Sequence, residues 1–366
     1  MKTSLFSLAG IFPALALVPV HGQALGNPVV STPGTATWST EVTDTGNRTI
    51  FTITGNTVLD WGSFNLDSGS ELVFDFVGGD TVANMLGGSG VNYISGTVTS
   101  NGNVGFFSPN AELVVDGSVT AKSVTIAALD VDRGAFLSGG SYTMSGNPNG
   151  WNELTVTGRI QATHGNVVLA GRVARASGDL QASQTIQIAG GTDVTVNESG
   201  EGARLKVSSG GGFVLHHGAS RASRIEIAAG QEITNGGRLD AGARGNRIFL
   251  EVGNDGKIIR EGSGVMVGRA SINGEFDNDG TAGDIHEGDS GAAVSPSALR
   301  LPALKRPDGS KASSSRTIVN EVPMSASADS GRDRKRSSRQ VASRDKPLLQ
   351  RASFFGMRGG SSGSKR

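Results

Sequence analysis

The chain has 366 residues; 55 are glycine and only 5% are aromatic. Cysteine is absent, which excludes a disulfide framework, a thiolate metal site and a cysteine nucleophile. The formal charge of zero hides an asymmetry: residues 1–299 hold 17 Lys and Arg against 28 Asp and Glu, and residues 300–366 hold 16 against 5. The body is therefore acidic and the end of the chain basic, with a boundary near residue 295. So few large side chains cannot fill an ordinary thick core. Thin stacked coils, each burying short side chains against its neighbours, fit this composition better.

Residues 1–24 read as a signal peptide. Lys2 precedes an apolar run from Leu5 to Val20, and the small residues Gly22 and Ala24 come next at cleavage-site spacing. The run is shorter than the roughly 20 residues that span a bilayer, and Pro13 and Pro19 interrupt it. The mature chain is expected to begin near Gln23 or Leu25. The polar stretch from residue 25 to 60 is expected to cover the first coil of the acidic body.

From there to about residue 285, short alternating runs replace helical patterns. Examples are Thr49-Ile50-Phe51-Thr52-Ile53, Glu71-Leu72-Val73-Phe74-Asp75-Phe76 and Glu112-Leu113-Val114-Val115. Gly, Asn, Asp and Ser bound them, which is a strand-and-turn pattern. The runs also repeat. Gly158-Arg159-Ile160-Gln161-Ala162 returns 20 residues later as Gly178-Asp179-Leu180-Gln181-Ala182. Related copies start at Gly117 and Gly237. A period near 20 built from short strands predicts an all-β chain, a right-handed parallel β-helix (β-solenoid). Ile160 with Ala162, and Leu180 with Ala182, then share a face and stack coil on coil. Gly and Asn at the corners are expected to supply positive φ. The domains read as residues 25–150 and 151–285, both β-helical, followed by a disordered basic tail over 286–366.

One segment carries a motif. Trp61-Gly62-Ser63-Phe64-Asn65 is followed by Asn84-Met85-Leu86, Ile94-Ser95-Gly96-Thr97-Val98, Phe106-Phe107-Ser108-Pro109-Asn110 and Leu129-Asp130-Val131. In order and spacing these pieces resemble the N-terminal secretion domain of filamentous haemagglutinins and related two-partner exoproteins. Ser108-Pro109-Asn110-Ala111 stands where that family usually carries Asn-Pro-Asn-Gly. The resemblance implies a secreted or cell-surface, adhesin-like protein exported through an outer-membrane partner transporter. It implies Trp61, Phe64, Asn65, Ser108, Pro109 and Asn110 as the secretion-domain residues.

No catalytic residue, cofactor or metal site is expected. Asp130 and Asp132, read as i and i+2 of one strand, resemble carboxylate pairs of β-helix lyases, but Asp130 falls in the structural Leu-Asp-Val element. Glu275, Asp277, Asp279, Asp284 and Glu287 cluster around Gly280, yet their spacing fits no calcium loop and reads as a solvated turn. His216 and His217 are adjacent, so a strand would point them to opposite faces. The basic tail suits lipopolysaccharide or another anionic polysaccharide through charge alone. Phe354 and Phe355 are too few aromatics for base stacking, so no specific nucleic acid is expected. The expected function is an exported β-solenoid and not an enzyme. The alternatives are a polysaccharide-active β-helix enzyme, or a truncated family member without an exported function.

Overall fold

Alternation along each run decides which side chains are buried. In Glu112–Val115 the second and fourth residues, Leu113 and Val115, are fully buried while Glu112 and Val114 stay partly exposed. The same two-residue period holds in Glu153–Val156, Asp193–Val196 and Lys257–Arg260. One strand alone cannot bury its apolar side, so many are stacked into a tube whose lumen is the core.

The computed structural model describes residues 25–278 apart from 32, 79, 151, 198–203, 210 and 243–246, together with the strands Ile285–Glu287, Ala292–Val294 and Thr317–Val319. The chain divides into two units, Met1–Glu321 and Val322–Arg366. The expected leader, most of the basic tail, Asp279, Gly280 and Asp284 lie outside the described residues.

Three sheets of 11, 12 and nine strands form the walls of a parallel β-solenoid. They are called A, B and C here. Each coil visits A, then C, then B: Asn103–Phe107, Glu112–Val115 and Ser118–Ala121, before Val124–Ala127 returns to A. The repeat legible in sequence is the coil itself. Arg159–Ala162 pairs in parallel with Asp179–Ala182, residue for residue, and Val119, Ile160 and Leu180 stack in one inward column. At the amino-terminal end the pairing turns antiparallel. Thr35–Val42 covers Asn47–Thr54 in sheet B, and Val29–Ser31 covers Thr57–Trp61 in sheet A. The expected cover thus comes from residues 29–42, whereas Asn47–Thr54 and Thr57–Trp61 already belong to the coils.

The lumen changes character along its length. In the first coils it holds aromatic rings: Trp61 lies edge-on to Phe64 at 5.1 Å and to Phe51 at 5.7 Å, and Phe64 meets Phe106 at 5.7 Å. Later coils are filled by Val, Ile and Leu, such as Ile186, Ile188, Ile225 and Ile227.

Glycines line the corner between sheets C and B. A Cβ at Gly117, Gly158, Gly178, Gly218 or Gly237 would lie closer than 3.0 Å to the carbonyl oxygen of the preceding glycine of the column. That oxygen accepts the backbone hydrogen bond of the next coil, as in Asp179 N to Gly158 O at 3.1 Å. The expectation of positive φ fails at these positions; positive φ occurs at Gly55, Gly69 and Gly274 among others, none of them in the column. Close approach of successive backbones selects glycine here, because no side chain fits between coils stacked at strand spacing.

Two excursions interrupt the coils. Each leaves after a strand of sheet A and returns to sheet C. The first contains Asp130–Val131, the helix Arg133–Ser138 and Tyr142–Ser145; the second contains Asp193–Val196 and Leu205–Ser209. Their strands form a four-stranded antiparallel sheet, joined by Tyr142–Ser145 against Asp193–Val196. It seals a second apolar cluster on the outer side of sheet A, including Phe107, Leu129, Phe136, Tyr142, Val168 and Val194. Six residues are too few for a stable isolated helix. This one is held by the Asp132 cap on Ala135 N at 3.0 Å, by the Arg133–Asp60 ion pair at 3.0 Å, and by Phe136 wedged between Phe107 and Tyr142. Gly105 faces Phe136 where a Cβ would collide with its ring.

Candidate functional site

The motif residues fall into a buried set and an exposed set. Trp61 ends its sheet A strand with its ring in the lumen, and its indole N–H donates to Asn84 Oδ1 at 3.1 Å. Asn84, itself fully buried, donates on to Gly105 O at 3.0 Å, so the first three coils of sheet A are tied through one amide. Phe64 is buried against Trp61 and Phe106. Trp61→Phe is expected to cost about 1–3 kcal/mol, because the ring fits but Asn84 Oδ1 is left buried without its donor; a urea titration reads this directly.

Asn65 is exposed, and its Oδ1 accepts from Tyr93 N of the next coil at 3.2 Å. It lines a shallow surface depression with Leu25, Asn47, Thr49 and Asp67 at the amino-terminal end. Ser108 is buried; its hydroxyl donates to Ala111 O at 2.9 Å and accepts from Asn92 Nδ2 at 3.0 Å, which fixes the turn. The Pro109 carbonyl accepts from Asn152 Nδ2 at 2.9 Å, and Asn110 stands exposed at the tip. The six residues therefore do not converge on one cleft. Trp61, Phe64 and Ser108 shape the first coils, while Asn65 and Asn110 face solvent.

Asp130 and Asp132 are not a pair on one strand. Asp130 begins a two-residue strand of the lateral sheet and Asp132 caps the helix, because the chain leaves the solenoid at this point. At the far end, Asp277 pairs with Lys257 Nζ at 2.9 Å, and Glu275 is exposed. The described residues hold no group of three metal-ligating side chains.

His216 and His217 do point apart. His217 is exposed and faces Glu261 at 3.2 Å, while His216 is fully buried in the lumen. Its Nδ1 lies 2.8 Å from Asn235 Oδ1 and its Nε2 lies 2.9 Å from Ser220 Oγ. An amide oxygen only accepts, so Nδ1 carries the proton and Ser220 donates to Nε2. Burial is the largest influence on the imidazole and lowers its pKa to about 4, so it is neutral at pH 7. Sequence reasoning saw no Ser–His arrangement because Ser220 and Asn235 reach His216 from different sheets. All three are closed inside the tube.

A second cluster escaped the sequence. Glu226 points outward from sheet A yet is 1% exposed, because the lateral sheet covers it. Its Oε2 accepts from Leu205 N at 2.7 Å, Arg204 N at 2.9 Å and Gln187 Nε2 at 3.2 Å. Arg224, stacked on Phe249, pairs with its other oxygen. The carboxylate fastens the second excursion to the solenoid wall.

No family model matches the chain, and no curated protein matches it in sequence. Among solved structures, it is similar to the HMW1 secretion domain from Haemophilus influenzae, with a TM-score of 0.53 and 16% identity. The likeness covers 69% of this chain and 73% of that one. The likeness shows a shared fold, a parallel β-solenoid.

Proposed function

We propose that the chain is an exported β-solenoid of the two-partner kind, carried across the outer membrane by a dedicated transporter and serving outside as an adhesin-like surface protein rather than an enzyme. The observation that carries this reading is the fold likeness to a secretion domain over 69% of the chain. The order of the Trp61–Asn65 and Ser108–Asn110 elements supports it further. Both sit in the first coils, where an emerging chain would begin to fold, and each later coil needs only its predecessor as a template. Asn65 and Asn110 are the motif residues left free to meet a partner, whereas Trp61, Phe64 and Ser108 set the shape beneath them.

The test is export in a host carrying the partner transporter. Asn65→Ala combined with Asn110→Ala is expected to lower the secreted amount several-fold. The purified double variant should keep its stability within about 0.5 kcal/mol per site, as exposed positions usually do. Secreted protein is expected to begin near Gln23 or Leu25. Unchanged export of the double variant, or recovery of the chain only from the cytosol with Met1 intact, would overturn the reading.

A further inference from the structure

The lumen of the carboxy-terminal coils is not apolar throughout. One inward column of sheet C runs Val115, Val156, Ala176, His216, Asn235, Arg260, each the register partner of the next. Its first three residues are small and apolar; from His216 onward it is polar. His216, Asn235 and Arg260 are 0%, 1% and 3% exposed. Ser220 adds a hydroxyl from the adjoining wall, and the Arg260 guanidinium donates to Gly264 O at 2.7 Å. Asn235 Nδ2 is buried without a hydrogen-bond partner. A solenoid's stability is close to a sum of coil and coil–coil terms, so a polar column sets where the stack is weakest.

We propose that the His216–Asn235–Arg260 column is an acid-sensitive seam at which the carboxy-terminal coils open while the aromatic amino-terminal coils stay closed. The seam is independent of the export reading, since it concerns only the lumen. Protonated His216 would place a charge in a dry lumen two coils from Arg260 and next to His217, which directly follows the strand. Among the described residues, the acids beside this strand are Glu232 and Glu261. They face outward, against Thr234 and His217, and cannot compensate. The walls opposite His216 supply isoleucines. The Asn235 oxygen, which favours the charged ring, is outweighed by burial.

The direction comes from the lowered pKa. Folded His216 titrates near 4 and an unfolded histidine near 6.5, so the unfolded state takes up the proton first. Stability from this site is complete above about pH 6.5 and is lost as the pH falls toward 4. Between pH 7.5 and 5.0 the closed-to-open ratio of these coils should drop about 30-fold.

Hydrogen exchange of the full chain, corrected for intrinsic rates, tests this. Protection in Phe213–His216, Ala219–Arg221 and Glu232–Asn235 is expected to fall about 30-fold between pH 7.5 and 5.0, with Asn103–Phe107 and Ser118–Ala121 unchanged. His216→Asn, polar but not titrating there, should abolish the fall. If that variant does not fold, the combination His216→Val, Ser220→Ala and Asn235→Val extends the Val115–Val156 column and should abolish it equally. A fall shared by the amino-terminal coils would overturn the proposal. So would one that survives loss of the histidine.

Discussion

Gly158→Ala and Gly178→Ala are each expected to destabilise the solenoid by more than about 4 kcal/mol, at the severe end of single substitutions. The reason is geometric. At either position the new methyl group would enter the space of a carbonyl oxygen that accepts the hydrogen bond of the next coil. A flexible side chain could step aside, but a backbone oxygen held in two coils cannot. Relief would require parting the coils, which breaks parallel ladders on both sides of the corner. Gly90→Ala is the matched control: nothing lies within 4 Å of its added methyl group and its φ is not positive. It should be neutral, or slightly stabilising through the unfolded state. Urea midpoints at unchanged slope read the difference. If Gly158→Ala and Gly90→Ala gave equal midpoints, close approach would not be what selects glycine at this corner.

Glu226→Ala should cost about 3–5 kcal/mol, the usual range when one member of a buried charged network is removed. The backbone N–H groups of Arg204 and Leu205 would lose their acceptor, and Arg224 would lose its counter-charge. Glu226→Gln separates shape from charge. It keeps one acceptor oxygen but brings an amide donor toward donors, so about 1–3 kcal/mol is expected. The local readout is hydrogen exchange at Leu205–Ser209, which should speed up before the solenoid coils do. A wild-type exchange rate in Glu226→Ala would mean that apolar contact alone holds the lateral sheet. Because Tyr142–Ser145 pairs directly with Asp193–Val196, loosening the second excursion is expected to expose Phe136 as well.

Much of the solenoid was legible in the chain because each coil writes its own period. The Gly158 and Gly178 units are 20 residues apart with matching alternation, and the structure pairs them residue for residue. The inward column of Ile160 and Leu180 follows from strand geometry alone. The opposite facing of His216 and His217 is equally local. The coil at Gly218 was harder to see, since Ser220 occupies the place that Leu180 holds one coil earlier. Its polarity makes sense only beside His216.

The chain alone thus dictates the repeating strand, its buried side and the absence of cysteine chemistry. Folding in three dimensions settled four further matters. The two excursions are far apart along the chain, at Asp130–Ser145 and Asp193–Ser209, and only folding pairs them into a sheet over sheet A. That sheet turns Glu226, outward by alternation, into a buried carboxylate. At the glycine corner the chain shows a recurring residue, but the cause is a neighbouring coil's oxygen and not the residue's own φ. In the lumen, His216 meets Ser220 from the adjoining wall and Asn235 from the next coil of its own wall. Periodicity is a property of neighbours along the chain. Burial, close approach and hydrogen-bond partnership are properties of neighbours in space, and a solenoid makes the two coincide only within a coil.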